Sequence, residues 1–153
     1  MLIGAKEAGT PALAVDAPRS EPGDAPARRL AARRHRGADN HASGLAAEDA
    51  TLRRYEARGA RVIARRWRAP HARAEIDLVL REGEEIVFVE VKRAPDHDRA
   101  ARALGPRQAA RLLAAGSEWL AREPAGQDTP ARFDLALVDA AGRVRVIENA
   151  LVG

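Results

Sequence analysis

Cysteine is absent from this 153-residue sequence, which excludes a disulfide framework and any thiolate metal site. The first twenty residues contain no apolar run long enough for a signal peptide, and nothing later approaches the roughly 20 residues of a membrane span. The expectation is a cytoplasmic protein with no membrane partner. Lysine is nearly missing too: all but two of the 26 basic residues are arginine, the exceptions being Lys6 and Lys92. Where positive charge alone is needed such a chain places arginine, so Lys92 suggests a site that requires a compact ammonium. The net charge of +4 and pI near 10.5 permit an anionic partner such as nucleic acid without demanding one.

Aromatic residues are missing from the first 43 positions, which hold four of the nine prolines and few branched aliphatics after Val15. Such a segment buries too little apolar surface to offset its ordering entropy. Residues 1–43 are therefore expected to be disordered, with a transient helix around Ala27 to Arg36. The basic cluster Arg28, Arg29, Arg33, Arg34 and Arg36 reads as an arm adding non-specific phosphate contacts or as a dispensable extension. Residues 44–153 are long enough for one domain with its own core.

The informative stretch runs from Glu75 to Lys92, EIDLVLREGEEIVFVEVK. Residues 76–80 and 86–91 are mostly branched aliphatics, separated by a short charged stretch around Gly83, and predict a hairpin. A two-residue Gly83-Glu84 turn of type II′ sets the register. Ile76 then faces Val91, Leu78 faces Val89 and Leu80 faces Val87, giving one aliphatic face. The other face pairs Glu75 with Lys92, Asp77 with Glu90, Val79 with Phe88 and Arg81 with Ile86. A one-residue slip would mix the two faces. Asp77 and Glu90 are thus side by side, with Cβ atoms roughly 4.5–5.5 Å apart. Facing carboxylates repel, so a positive group belongs between them: Lys92, on the same side two residues on, or a divalent cation. The purely structural alternative is a cross-strand Glu75–Lys92 ion pair.

Leu45, Glu48, Asp49, Leu52 and Tyr55 recur at helical spacing from Ser43, with Gly59 as a stop. Glu48 shares the apolar face, an odd place for a carboxylate. Arg61 to Trp67 alternates as a first strand, with Val62 and Ala64 on one side and Ile63 and Trp67 on the other. Arg65, Arg66, Arg68 and Arg73 cluster near Trp67 and His71, a set able to grip phosphates and stack on a base, or an ordinary charged strand end. Ala94 to Gly105 reads as a loop. Pro106 opens a helix with an apolar stripe through Leu112, Leu113, Gly116, Trp119 and Leu120. Gln108 and Arg111, one turn apart near its start, can reach the same site, while Trp119 reads as core. Two strands follow, Phe133 to Val138 and Val144 to Ile147, giving the order α-β-β-β-α-β-β.

That order and those residues resemble the restriction-endonuclease-like PD-(D/E)xK nuclease superfamily, an α/β class with an α-β-β-β-α-β core and a mixed central sheet flanked by helices. More closely, the chain is similar to the YraN-like family of bacterial proteins. The segments carrying this are Gly44-Leu-Ala-Ala-Glu48-Asp-Ala, Arg65-Arg-Trp-Arg68, Glu75-Ile-Asp-Leu, Val87-Phe-Val-Glu-Val-Lys92, Arg132-Phe-Asp134 and Glu148-Asn-Ala150. The likeness runs from about Gly44 to the C-terminus. Ala74, Ala94 and Arg66 depart from the family's usual glycine, arginine and asparagine.

By position, the resemblance implies that Asp77 is the metal-binding acid and that Glu90 and Lys92 are the acid and lysine of the Glu-x-Lys motif. It makes Glu48 the first-helix glutamate of junction-resolvase relatives. The implied activity is a Mg²⁺- or Mn²⁺-dependent endonuclease hydrolysing DNA phosphodiester bonds, at branched or junction structures by kinship with resolvases. Resolvase-like cutting of two opposed strands would favour a homodimer. The alternative is an inactive nuclease-fold module that binds nucleic acid or a protein partner. An RNA nuclease is a third reading.

Overall fold

The computed structural model describes residues 25–151. The chain divides into two compact units, residues 1–37 and 38–153. Helix α1 (Ala25–Glu56) begins in the first and ends in the second. The disorder expected over residues 1–43 falls outside the described residues at 1–24. From Ala25 the backbone is helical, so the helix start expected near Ser43 lies inside α1. Pro26 stands in the first turn, where its missing N–H is no loss. No further proline follows until Pro70, and alanine and arginine, which dominate the segment, are strong helix formers. Burial on α1 is confined to Ala47, Glu48, Thr51 and Tyr55, a stripe one turn apart on its C-terminal half.

The second unit is a five-stranded mixed sheet flanked by helices, with the element order of a restriction-endonuclease-like core. Its strands are β1 (Arg61–Arg68), β2 (Glu75–Glu82), β3 (Glu85–Arg93), β4 (Ala131–Val138) and β5 (Val144–Ile147), adjacent in chain order. Only β3 and β4 run parallel, and the crossover between them carries α2 (His97–Arg102) and α3 (Pro106–Leu120). Helix α2 lies inside the expected Ala94–Gly105 loop. Asp96 caps it by accepting from the Arg99 N–H at 2.8 Å, and its buried Ala100 packs with Leu135 and Leu137. Two adjacent alanines among charged residues leave too little apolar periodicity to see in the sequence.

Leu52 and Tyr55 of α1 cover one sheet face with Leu78, Leu80, Val87 and Val89. Leu112 and Ala115 of α3 cover the other with Val79, Ile86, Phe88 and Phe133. Gly116 makes the second contact close: a Cβ there would lie 2.7 Å from the Phe133 ring.

The β2–β3 hairpin has the expected register, with Leu78 opposite Val89, Val79 opposite Phe88 and Leu80 opposite Val87. Gly83 takes φ +61 while Glu84 is not among the positive-φ residues, the sign pattern of a type II′ turn. Two details differ from simple alternation. Ile76 packs with Val79 and Phe88 instead of Leu78 and Leu80. In β1 the register shifts between Val62 and Ala64, so Val62 joins the α1 face and Ala64 the α3 face with Trp67. The extra residue of a bulge inverts side-chain parity, and Ile63, at the bulge, is 39% exposed.

Candidate active site

Strands β2 and β3 pair from Glu82↔Glu85 to Leu78↔Val89, and beyond that point the predicted acids meet. The Val91 N–H donates to Asp77 Oδ2 at 2.8 Å, which fixes the Asp77 side chain against β3. Asp77 and Glu90 lie close enough for each to act on the other's ionisation. Glu90 Oε1 also accepts from Lys92 Nζ at 2.7 Å and from Gln108 Nε2 at 2.8 Å. Alternation along β3 puts Glu90 and Lys92 on the α3 side, and the position of Gln108 near the start of α3 brings its amide over them. Lys92 pairs with Glu90 and Glu75 pairs with arginines, so the cross-strand Glu75–Lys92 pair is not the arrangement found.

Burial sets the electrostatics. Glu90, 4% exposed, is pushed up to about 7, first by desolvation and then by the charge of Asp77, with Lys92 working against both. Asp77 is also raised, by burial foremost, while the Val91 N–H and Lys92 pull it down. Each carboxyl makes ionisation of the other harder, on top of the cost of burial. Glu48 reaches this locality from α1. It is raised by burial and then by Asp77, and its Oε2 is buried without a hydrogen-bond partner, with Arg65 Nη2 3.7 Å away.

Among the described residues no three His, Asp or Glu side chains converge into a ready-made metal cage. Mg²⁺ is commonly held by one or two carboxylates with water and substrate phosphate. Two adjacent carboxyl groups with a lysine beside them, and an orphaned carboxylate oxygen nearby, make a donor set of that hard-oxygen kind. The residues present fit Mg²⁺ or Mn²⁺.

The predicted phosphate-gripping arginines are less free than their clustering suggests. Arg65 pairs with Asp49 at 2.6 Å. Arg66 and Arg68 both clasp Glu75, at 2.9 and 2.8 Å. Burial pushes the Glu75 carboxyl up, but the bonds from Arg68 and Arg66 outweigh it and the net shift is downward. Arg73 is exposed with φ +51, and with Arg68, Ala69, Ala74 and Glu75 it lines a cavity of about 380 Å³. No hydrogen bond or ion pair among the described residues joins the exposed Arg111 to the acids. Trp67 is no base-stacking platform: it packs edge-on against Trp119, ring centroids 5.2 Å apart, under Arg122.

Glu118 was not singled out from the sequence. Its carboxylate accepts from the backbone N–H groups of His71 and Ala72 and pins the β1–β2 loop. Burial pushes Glu118 up, but these bonds outweigh it and hold its carboxyl below the ordinary range. A lone acid on an otherwise Ala-, Leu- and Arg-rich helix was the available signal.

The family model described as "Uncharacterised protein family UPF0102" matches residues 47–138. A UPF0102 protein of Ruegeria pomeroyi is 56% identical over 115 residues, covering 75% of this chain and 92% of the relative. Another, from Cereibacter sphaeroides strain ATCC 17029, is 53% identical over 108 residues, 71% of this chain and 91% of the relative. A third, from Ruegeria sp. strain TM1040, is 47% identical over 117 residues, 76% and 93% of the two chains.

Proposed function

Since the chain belongs to the UPF0102 (YraN) family, and its matched residues set a buried Glu90 and a half-buried Asp77 against a lysine, we propose that it is a divalent-metal-dependent endonuclease acting on DNA. The observation that carries this is the Asp77–Glu90 pair with Lys92 at 2.7 Å. Holding two acids side by side, largely away from water, perturbs their ionisation, and such perturbed groups cluster at functional sites. Asp77 and Glu90, with Glu48, would hold Mg²⁺ or Mn²⁺, which when bound polarises a phosphoryl oxygen and acidifies a water.

The chain's own residues do the rest. Glu90 must lose its proton to act as an oxygen donor, so activity rises with pH through about 7. Gln108, donating to Glu90 Oε1, keeps that carboxylate aimed as the proton leaves. Lys92 leaves its pairing with Glu90 to orient the attacking water or to meet negative charge growing on the phosphoryl oxygens. One such interaction is typically worth about 3–4 kcal/mol. Arg73 and Arg68, beside the cavity at Glu75, take flanking phosphates, with Arg65 and Arg66 of the same strand and Arg111 of α3 as further basic contacts. Cutting at branched or four-way junctions, by a symmetric dimer, follows from the resolvase resemblance.

The test is a cleavage assay with Mg²⁺ or Mn²⁺ on linear, single-stranded, flapped and four-way-junction DNA, with Asp77→Ala and Lys92→Ala alongside and folding checked by circular dichroism. Metal-dependent cutting by the wild type alone is the expected result. Equal cutting by a folded Lys92→Ala protein would sink the assignment.

The competing reading is a nuclease-fold module that binds without cutting. The lack of a three-residue cage among the described residues favours it. It predicts metal-independent DNA binding that tolerates Asp77→Asn.

A further inference from the structure

Helical residues 25–37 hold five arginines, Arg28, Arg29, Arg33, Arg34 and Arg36, and no acidic residue. They carry +5 against +4 for the whole chain, so everything else sums to −1. The positive balance of this protein is therefore local to one short helical segment, and that segment lies outside the family-matched residues 47–138. Every residue of it but Ala32 is exposed. Arg29, Arg33 and Arg36 follow i, i+4, i+7 spacing and share one side of the helix.

This charge pattern opposes the helix that carries it. Like charges three and four residues apart destabilise a helix by a few tenths of a kcal/mol per pair. Basic side chains near an N-terminus also meet the positive end of the macrodipole. The segment itself contains no acidic residue. A polyanion relieves both at once. A membrane surface is the poorer occupant, because an interfacial helix needs an apolar face and Leu30, 52% exposed, is the one large apolar residue here. Duplex DNA offers about one phosphate charge per 1.7 Å of axis, and thirteen helical residues extend roughly 20 Å at about 1.5 Å each, so the arm can reach several phosphates.

We propose that residues 25–37 form a phosphate-binding arm that grips the DNA backbone without reading sequence and gains helix as it binds. This shares the DNA partner of the reading above but does not depend on the acids. The two are separable because binding is measured in EDTA, where no metal-dependent cutting takes place.

The experiment uses the full chain, fluorescence anisotropy with a labelled DNA duplex, and a salt titration. The wild type is compared with a variant changing all five arginines to glutamine, which keeps helix propensity, and with one changing them to lysine. For the glutamine variant we expect affinity at low salt to fall roughly tenfold or more. Each lost contact reduces the slope of log affinity against log salt by about 0.9, so the slope should fall by up to about 4.5. The lysine variant should keep most of the slope. Wild-type helical ellipticity should rise on adding DNA, and the glutamine variant's should not.

An unchanged slope in a folded glutamine variant would overturn the arm. So would tight binding to phosphatidylserine vesicles that exceeds binding to DNA, or no DNA binding by the wild type at low salt. A normal arm effect with no metal-dependent cleavage would defeat only the nuclease reading. Cleavage with an unchanged slope would defeat only the arm.

Discussion

Asp134 and Glu90 are buried carboxylates on neighbouring parallel strands, in opposite surroundings. Asp134, 1% exposed, accepts from the Tyr55 hydroxyl at 2.7 Å, the Asn149 N–H at 2.9 Å and Arg132 Nε at 3.1 Å. Arg132 also pairs with Glu82 at 2.5 Å and with Glu85, beside the hairpin turn. Burial works against the Arg132 charge, but bonds to Glu82 and Asp134 outweigh it and hold the guanidinium above its ordinary value. Around Glu90, by contrast, burial and Asp77 outweigh Lys92 and the carboxyl is driven toward neutrality. Both groups belong to segments that carry the family likeness. One end of β2–β3 is an ionic joint with its charges matched, and the other crowds two acids against one lysine, which is what separates structural cement from a candidate site.

The largest expected effect tests the joint. Arg132→Ala would leave Asp134 without its cation and Glu82 with Arg58 alone, and breaking such a buried network costs about 3–5 kcal/mol. Urea denaturation measures it, and a loss below about 1 kcal/mol would erase the contrast between the two ends. Next comes Lys92→Ala, expected to lower metal-dependent cleavage roughly a hundredfold or more. Its urea midpoint should stay close to wild type, because Glu90 can keep its proton once the ammonium is gone.

Third is pH. Glu90 moves from an ordinary 4.5 to about 7 on folding, so the folded state binds the extra proton. Its contribution to stability is fully present below about 4.5 and is lost as pH rises through about 7, a change on the order of 3 kcal/mol. Metal-free wild type should lose stability across that window. Glu90→Gln should flatten the profile and exceed wild type at pH 8, and a steeper profile in the variant would contradict the assignment. The smallest effect is Tyr55→Phe, which removes one donor to Asp134 and should cost about 1–2 kcal/mol. The remaining donors of Asp134 are why it stays small.

Much of the hairpin was legible in advance. Strict alternation, a Gly-led two-residue turn and aliphatics on opposite faces leave one parity, so the Asp77–Glu90 proximity and the side of Lys92 follow from local rules. The Ile76 placement and the β1 bulge did not follow, because a bulge depends on what the partner strand presents. The phosphate-binding role drawn from Arg65, Arg66 and Arg68 rested on clustering alone. Clustering cannot show that Asp49 and Glu75 fold back onto them. Arg132-Phe-Asp134 and Glu148-Asn-Ala150 were visible as motifs but silent as to purpose. Asn149, at φ +50, turns its N–H toward Asp134, and asparagine tolerates that backbone better than most residues.

The sequence by itself determined the order of the strands, the hairpin register, the opening of α3 at Pro106 and the placing of two acids beside the one lysine of the family-like region. These follow from periodicity and turn chemistry, which act over a few residues. Only the tertiary structure decided that Gln108 lies on Glu90, that Glu48 is buried near Asp77, that Glu118 holds the β1–β2 loop and that Tyr55 meets Asp134. Those partners are 18 to 79 residues apart where they are hydrogen-bonded. The crossover that makes β3 and β4 parallel, and the helices it lays on the sheet, bring them together.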